Sequence, residues 1–239
     1  RKHRRGRAAL FDPAAHRALE QELLRNGYLI VDDALEGALP GGADALVRDA
    51  AMLDGLGALR PAPQRSLDQR GDRLLWLDEA LAKDRYGAPA VSAGISFLKG
   101  VADALNPIVS RHHAECHKNG VPGHENPPQP PATRDAVLTV PPNAMVATYP
   151  GGGSRYRPHV DNQYVPKQGR RVNPRELTAI LYANPPDWKL NRDGGALLLW
   201  PHSTHDRWKK NPVYVEPFGG RLVVFFSCFR HEVLPAYRE

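Results

Sequence analysis

Between residues 136 and 226 the chain is a series of short apolar runs cut apart by Gly, Pro and Asn, and this pattern limits the fold more than any other feature. The runs Val137–Val140, Met145–Tyr149, Leu177–Tyr182, Ala196–Trp200, Val213–Val215 and Arg221–Phe226 are rich in β-branched, leucine or aromatic residues, which predicts strands. The first half reads differently. Asp12-Pro13, then Leu19, Leu23 and Leu24, closed by Gly27, carries an N-cap, a first-turn proline and a C-terminal glycine, so a helix is expected there. A strand-like run Tyr28–Val31 follows, then a second helical region over 43–56, ended by Pro61 and Pro63. Arg70-Gly71-Asp72 predicts a turn before a buried strand, Leu74–Leu77, and residues 91–105 a third helix stopped or kinked by Pro107. Helices first and many short strands afterwards predict an α+β fold, a β-sandwich or barrel supported on one side by helices.

Composition narrows the class. A chain of 239 residues with 41% hydrophobic content can bury one real core. No apolar run approaches the roughly 18 residues of a membrane span, so no membrane association is expected. Two cysteines, Cys116 and Cys228, are too few for a disulfide framework and predict free thiols in a reducing compartment: a cytoplasmic protein, with the nucleus as the alternative. The formal charge of +6 is concentrated in Arg1, Lys2, Arg4, Arg5 and Arg7, a basic tail over residues 1–11, while the rest is near balance. That distribution argues against a nucleic-acid-binding domain and leaves a single, monomeric domain over 12–239. Its expected parts are a helical support (12–117), a Pro-rich loop (118–135) and a β core (136–239).

The chemical signal lies in AMVATYPGGGSRYRPHVD, residues 144–161. Residues two apart on extended backbone point the same way, so His159 and Asp161 can share one metal ion. The best third ligand is His231, in SCFRHEVLPAY. Two histidines and a carboxylate make the facial triad of non-haem Fe(II) oxygenases, with open positions for cosubstrate and oxygen. H-x-D alone is common by chance, so the context must carry the assignment. A competing zinc reading of His112, His113, Cys116, His117 and His124 lacks two paired ligand sets, and His202 and His205 read as surface residues. Gly151, Gly152 and Gly153 predict a tight turn; no Lys-Ser/Thr follows them, so they do not read as a phosphate loop.

The ordered motifs AMVATYPGGGSRYRPHVDN, LTAILYANPPDW, DGGALLLWP, RLVVFFS and HEVLPAY, preceded by NGYLIVDDAL and RGDRLLWLDEA, resemble the prolyl hydroxylases that act on hypoxia-inducible factor and their relatives acting on other cytoplasmic proteins. The resemblance covers roughly residues 20–239. It implies a double-stranded β-helix (jelly-roll) core using Fe(II), 2-oxoglutarate and O2, with ascorbate as reductant. The implied reaction hydroxylates a proline of a protein or peptide substrate, with succinate and CO2 as coproducts. The same chemistry on another residue or a small molecule, or a non-catalytic metal-binding module, are the alternatives, because an iron site does not encode its substrate. By the same resemblance His159, Asp161 and His231 fall on the iron ligands, with no catalytic side chain beyond the metal centre, and Tyr149, Tyr182 and Leu197 fall on cosubstrate-pocket positions. The family's arginine for the distal carboxylate of 2-oxoglutarate would lie one position beyond Glu239, with the final strand; Arg238 is the nearest substitute. The connection 162–177, with Lys167, Arg170, Arg171 and Arg175, is longer than the family leads one to expect and reads as a solvated loop or a contact for acidic substrate.

Overall fold

A computed structural model describes residues 4–5, 13–63, 69–119, 139–165, 170–201 and 212–238. Strand β1 (Arg4–Arg5) is followed by helix α1 (Pro13–Asn26), β2 (Tyr28–Asp32), α2 (Gly42–Gly55), β3 (Arg60–Pro61), β4 (Arg73–Leu77), a π-helical turn (Leu81–Arg85) and the long α3 (Pro89–Asn119). The second half holds β5 (Ala144–Thr148), β6 (Ser154–Val160), β7 (Tyr164–Val165), β8 (Arg170–Arg171), β9 (Leu177–Leu181), the short α4 (Leu190–Asp193), β10 (Leu197–Trp200), β11 (Val213–Val215), β12 (Leu222–Phe226) and β13 (Arg230–Ala236). Helices therefore precede strands, as the sequence pattern predicts.

Two four-stranded sheets form the core, ordered β1-β2-β12-β9 and β11-β10-β13-β6. Alternation along β12 shows how they are placed. Val223 and Phe225 join Ile30, Leu197, Leu199 and Val215 in a cluster between the sheets, whereas Leu222 and Val224 join Leu19, Leu23, Leu46, Ile95 and Leu105 on the helical side. A strand buried on both faces must be apolar at every position, and Leu222–Phe226 is. This is the jelly-roll core with helical support on one side.

Three expectations need correction. Helix α3 is not stopped at Pro107; it runs on to Asn119 with Pro107 inside it. Proline costs one N–H but keeps a helical φ, and burial of Val101, Leu105 and Val109 on the helical-side core outweighs the missing bond. Leu74–Leu77 is a strand but not a buried one: only Leu77 is buried, and Trp76, 48% exposed, pairs across the ladder with Met145 on a solvent-facing side of the β3-β4-β5 sheet. Residues 139 and 140 lie outside any strand, so Val137–Val140 does not continue the ladder where it is described. The Pro-rich loop from residue 120 onward, His202 and His205, and nearly all of the basic tail fall outside the described residues, as do the side chains of the helix-end histidines and Cys116.

Two strands that the pattern did not reveal matter most. β6 (SRYRPHV) and β13 (RHEVLPA) are polar and each contains a proline, so neither shows an apolar run. They pair antiparallel with His231 opposite His159. β6 is the outer strand of its sheet, where a proline is tolerated. The 69–71 turn covers that edge: the Gly71 N–H donates to the Arg155 carbonyl at 2.8 Å and the Arg157 N–H to the Gln69 carbonyl at 2.8 Å.

Candidate metal centre

Register brings the two histidines together. His159 ends β6 and His231 begins β13, directly opposite, with ring centroids 4.2 Å apart. Asp161 follows one residue past the end of β6 and faces both, its Oδ1 3.6 Å from Nε2 of His159 and 3.8 Å from Nε2 of His231. One ligand atom from each of the three lies within 4.8 Å of the others, and no other such group of metal-binding side chains occurs among the described residues.

The outward nitrogens are already engaged. Nδ1 of His159 lies 2.8 Å from the Arg157 carbonyl and Nδ1 of His231 3.0 Å from the Phe229 carbonyl. A carbonyl can only accept, so each Nδ1 carries a proton and Nε2 is the ring nitrogen left facing Asp161. Backbone carbonyls in this position fix the tautomer that a metal ligand needs. Burial pushes the His231 imidazole below its usual range, with His159 adding to the effect and Asp161 opposing it, so His231 stays neutral at physiological pH.

Asp161 is ionised for a different balance of causes. Burial alone would raise its carboxyl; contacts with His159, His231, Thr178 and Arg175 outweigh that and hold it well below the usual carboxylate range. Thr178 Oγ donates to Oδ2 at 2.7 Å and Arg175 Nη1 lies 3.1 Å from the same oxygen. With Oδ2 taken, Oδ1 is the oxygen left for a metal, a one-oxygen carboxylate ligand beside two imidazoles. The donor set fits a facial triad with open positions.

Asn162 and Asn173 of the connection 162–177 are pinned to the site. The N–H of Asn162, 1% exposed, donates to the Ser227 carbonyl at 3.0 Å, and Asn173 Nδ2 donates to the Asp161 carbonyl at 2.8 Å. Arg175, one of the charges that reads from sequence as loop or substrate contact, is spent on Asp161.

Tyr149, Tyr182 and Leu197 lie on the inner side. Tyr149 follows β5, and burial pushes its hydroxyl far up, with Asp72, Tyr182 and Tyr156 adding to the rise and Arg70 opposing it. Tyr182 is pushed up by burial as well, against the nearby Arg221, and packs with fully buried Leu197 on the inter-sheet cluster. Arg238 does not turn into this space. It pairs with Asp187 at 2.9 Å and sits 3.7 Å from Asp193, so it is committed to the 187–193 segment. A backbone clasp keeps that segment close: Gly194 has φ +70° and a Cβ there would meet the Pro235 carbonyl oxygen at 2.1 Å.

Sequence reasoning missed Thr178, Tyr156, Arg70 and Asp72. Thr178 left a trace, a polar residue in phase with Ile180 on one face of β9 and with Tyr182 just past its end. The others carry no signal until β6 is known to be a strand.

Residues 144–239 match the 2OG-Fe(II) oxygenase superfamily. A hypoxia-inducible factor prolyl hydroxylase of Caenorhabditis elegans is 41% identical over 98 residues, 40% of this chain and 12% of that protein. Egl nine homolog 1 of Homo sapiens is 42% identical over 96 residues, 39% of this chain and 20% of that protein. The matched stretch thus spans well under half the length of these curated relatives. Among solved structures, a Trichoplax adhaerens prolyl hydroxylase in complex with a hypoxia-inducible factor oxygen degradation domain peptide superposes with TM-score 0.68 at 22% identity, covering 94% of this chain and 84% of that one. A Pseudomonas putida prolyl-4-hydroxylase gives TM-score 0.58 at 26% identity, covering 93% of each. The strand order, the His-Asp-His cluster and these likenesses agree: residues 144–239 resemble a 2OG-Fe(II) oxygenase domain.

Proposed function

We propose that this chain is an Fe(II)/2-oxoglutarate-dependent dioxygenase that hydroxylates a prolyl residue of a protein or peptide, giving succinate and CO2 alongside the hydroxylated product. The observation that carries the reading is the convergence of His159 Nε2, His231 Nε2 and Asp161 Oδ1 at the mouth between two sheets, with every other polar atom of the three side chains already engaged.

When bound, Fe(II) supplies activation of O2 coupled to decarboxylation of 2-oxoglutarate. The chain's residues do the rest. His231 stays neutral, both imidazoles stay turned by backbone carbonyls, and Asp161 stays ionised and limited to one oxygen by Thr178 and Arg175. Tyr149, Tyr182 and Leu197 would border the cosubstrate, with the Tyr182 hydroxyl donating to a carboxylate and Leu197 excluding water. The relatives named as prolyl hydroxylases support proline as the target, and the peptide complex of the Trichoplax adhaerens protein supports a peptide as the form presented.

The test is to incubate the protein with Fe(II), 2-oxoglutarate, ascorbate, O2 and proline-containing peptides, and to follow succinate and peptide mass together. The reading predicts succinate formed in step with the gain of one oxygen atom on a prolyl residue. Oxygen placed on a different residue type, or succinate with no peptide change across a broad proline library, would reject proline as the target.

A further inference from the structure

The turn at residues 69–72 reaches the metal centre through an aromatic ring. Arg70 forms an isolated bridge with Tyr156 of β6, and its guanidinium lies 4.3 Å over the Tyr156 ring centroid. The same ring is stacked on the imidazole of His159, at 3.6 Å between centroids and 17° between planes. Guanidinium and imidazole therefore both pack on one phenol ring. Arg70 is itself fixed: Nε and Nη2 donate to the two carboxylate oxygens of Asp72 at 2.7 and 2.6 Å, and the Asp72 side chain is fully buried. A planar fork held at both ends cannot swing away from the ring beneath it.

The backbone hydrogen bond to the Arg157 carbonyl fixes one edge of the His159 ring but leaves rotation about it free. The stack removes that freedom. Gly71 lets the turn come so close, since a Cβ there would lie 3.2 Å from Ser154 Cβ.

We propose that Arg70 and Asp72 are positioning residues for the metal centre, pressing Tyr156 flat on His159 so that Nε2 stays aimed at the ion. The proposal rests on reading His159, Asp161 and His231 as metal ligands. Lysine at position 70 keeps the charge beside buried Asp72, so the chain still folds, but it has neither the fork nor the flat face.

The experiment is calorimetric titration of the metal-free protein with Co(II), which needs no turnover, on wild type, Arg70→Lys, Tyr156→Leu and the double variant, with melting curves of each metal-free protein. The expected result is a loss of about tenfold or more in Co(II) affinity for each single variant, the range found when groups that orient a ligand are removed. The double variant should lose no more than Tyr156→Leu alone, because Arg70 acts only through that ring. Melting of Arg70→Lys should stay close to wild type. Wild-type affinity in Arg70→Lys, or losses that add in the double variant, would overturn the proposal. Failure of wild type to bind Co(II) at all would instead overturn the metal reading beneath it.

Discussion

Thr178 Oγ donates a 2.7 Å hydrogen bond to Asp161 Oδ2 and lies 3.0 Å from Ser227 Oγ, which ties a metal-ligand candidate on one sheet to a strand of the other. β9 and β12 belong to the sheet backed by the helices, whereas β6 and β13 carry the two histidines. The carboxylate is thus oriented across the sandwich.

Removing that tie should loosen the metal without unfolding the protein. Thr178→Val keeps the shape and deletes the donor, leaving Oδ2 with half-exposed Arg175 alone. Metal affinity, measured by titration, should fall about tenfold. Thr178→Ser should recover most of it, and equal affinity in the Val variant would remove Thr178 from the site.

Tyr182→Phe tests the cosubstrate side. Deleting a hydroxyl that donates to a carboxylate should cost about 1.5 to 3 kcal/mol, roughly ten- to a hundredfold in the 2-oxoglutarate concentration needed. The check is 2-oxoglutarate dependence of succinate formation with kcat recorded separately. An unchanged requirement would place the cosubstrate elsewhere.

The metal-free protein should lose stability in mildly acidic solution. Burial and His159 hold His231 below the usual imidazole value of about 6.5, so the unfolded chain takes up that proton first as pH falls. Its contribution is therefore intact above about pH 6.5 and is lost as pH drops through that value toward the lower folded one. Urea midpoints at about pH 7.5 and 5.5 should differ more for wild type than for His231→Gln. Identical pH slopes would mean that His231 is not held neutral by the fold.

How much of this was legible in the sequence depended on burial. The β12 run and the helical Leu19/Leu23 spacing announce themselves because both bury apolar side chains, and the sequence at the two ends of α1 carries helix-terminus signals. β6 and β13 do not, because a strand that lines a polar site and skirts solvent has no apolar alternation to show. The cluster of His159, Asp161 and His231 was readable from H-x-D spacing and family resemblance together. The residues that orient it were not: Arg70 and Asp72 meet Tyr156 only through pairing between a turn and an outer strand, and Arg175 reaches Asp161 only after Asn162 and Asn173 pin the connecting loop. Pro107 misled for the opposite reason, since helix-breaking is a local rule and core burial on both sides of it is not local.

The central claim, that His159, Asp161 and His231 hold one metal ion, is most directly tested by anaerobic Fe(II) titration of wild type beside His231→Ala. Wild type should bind one equivalent, and the variant should bind none tightly, since two remaining ligands hold Fe(II) poorly. One tight equivalent in both proteins would contradict the account.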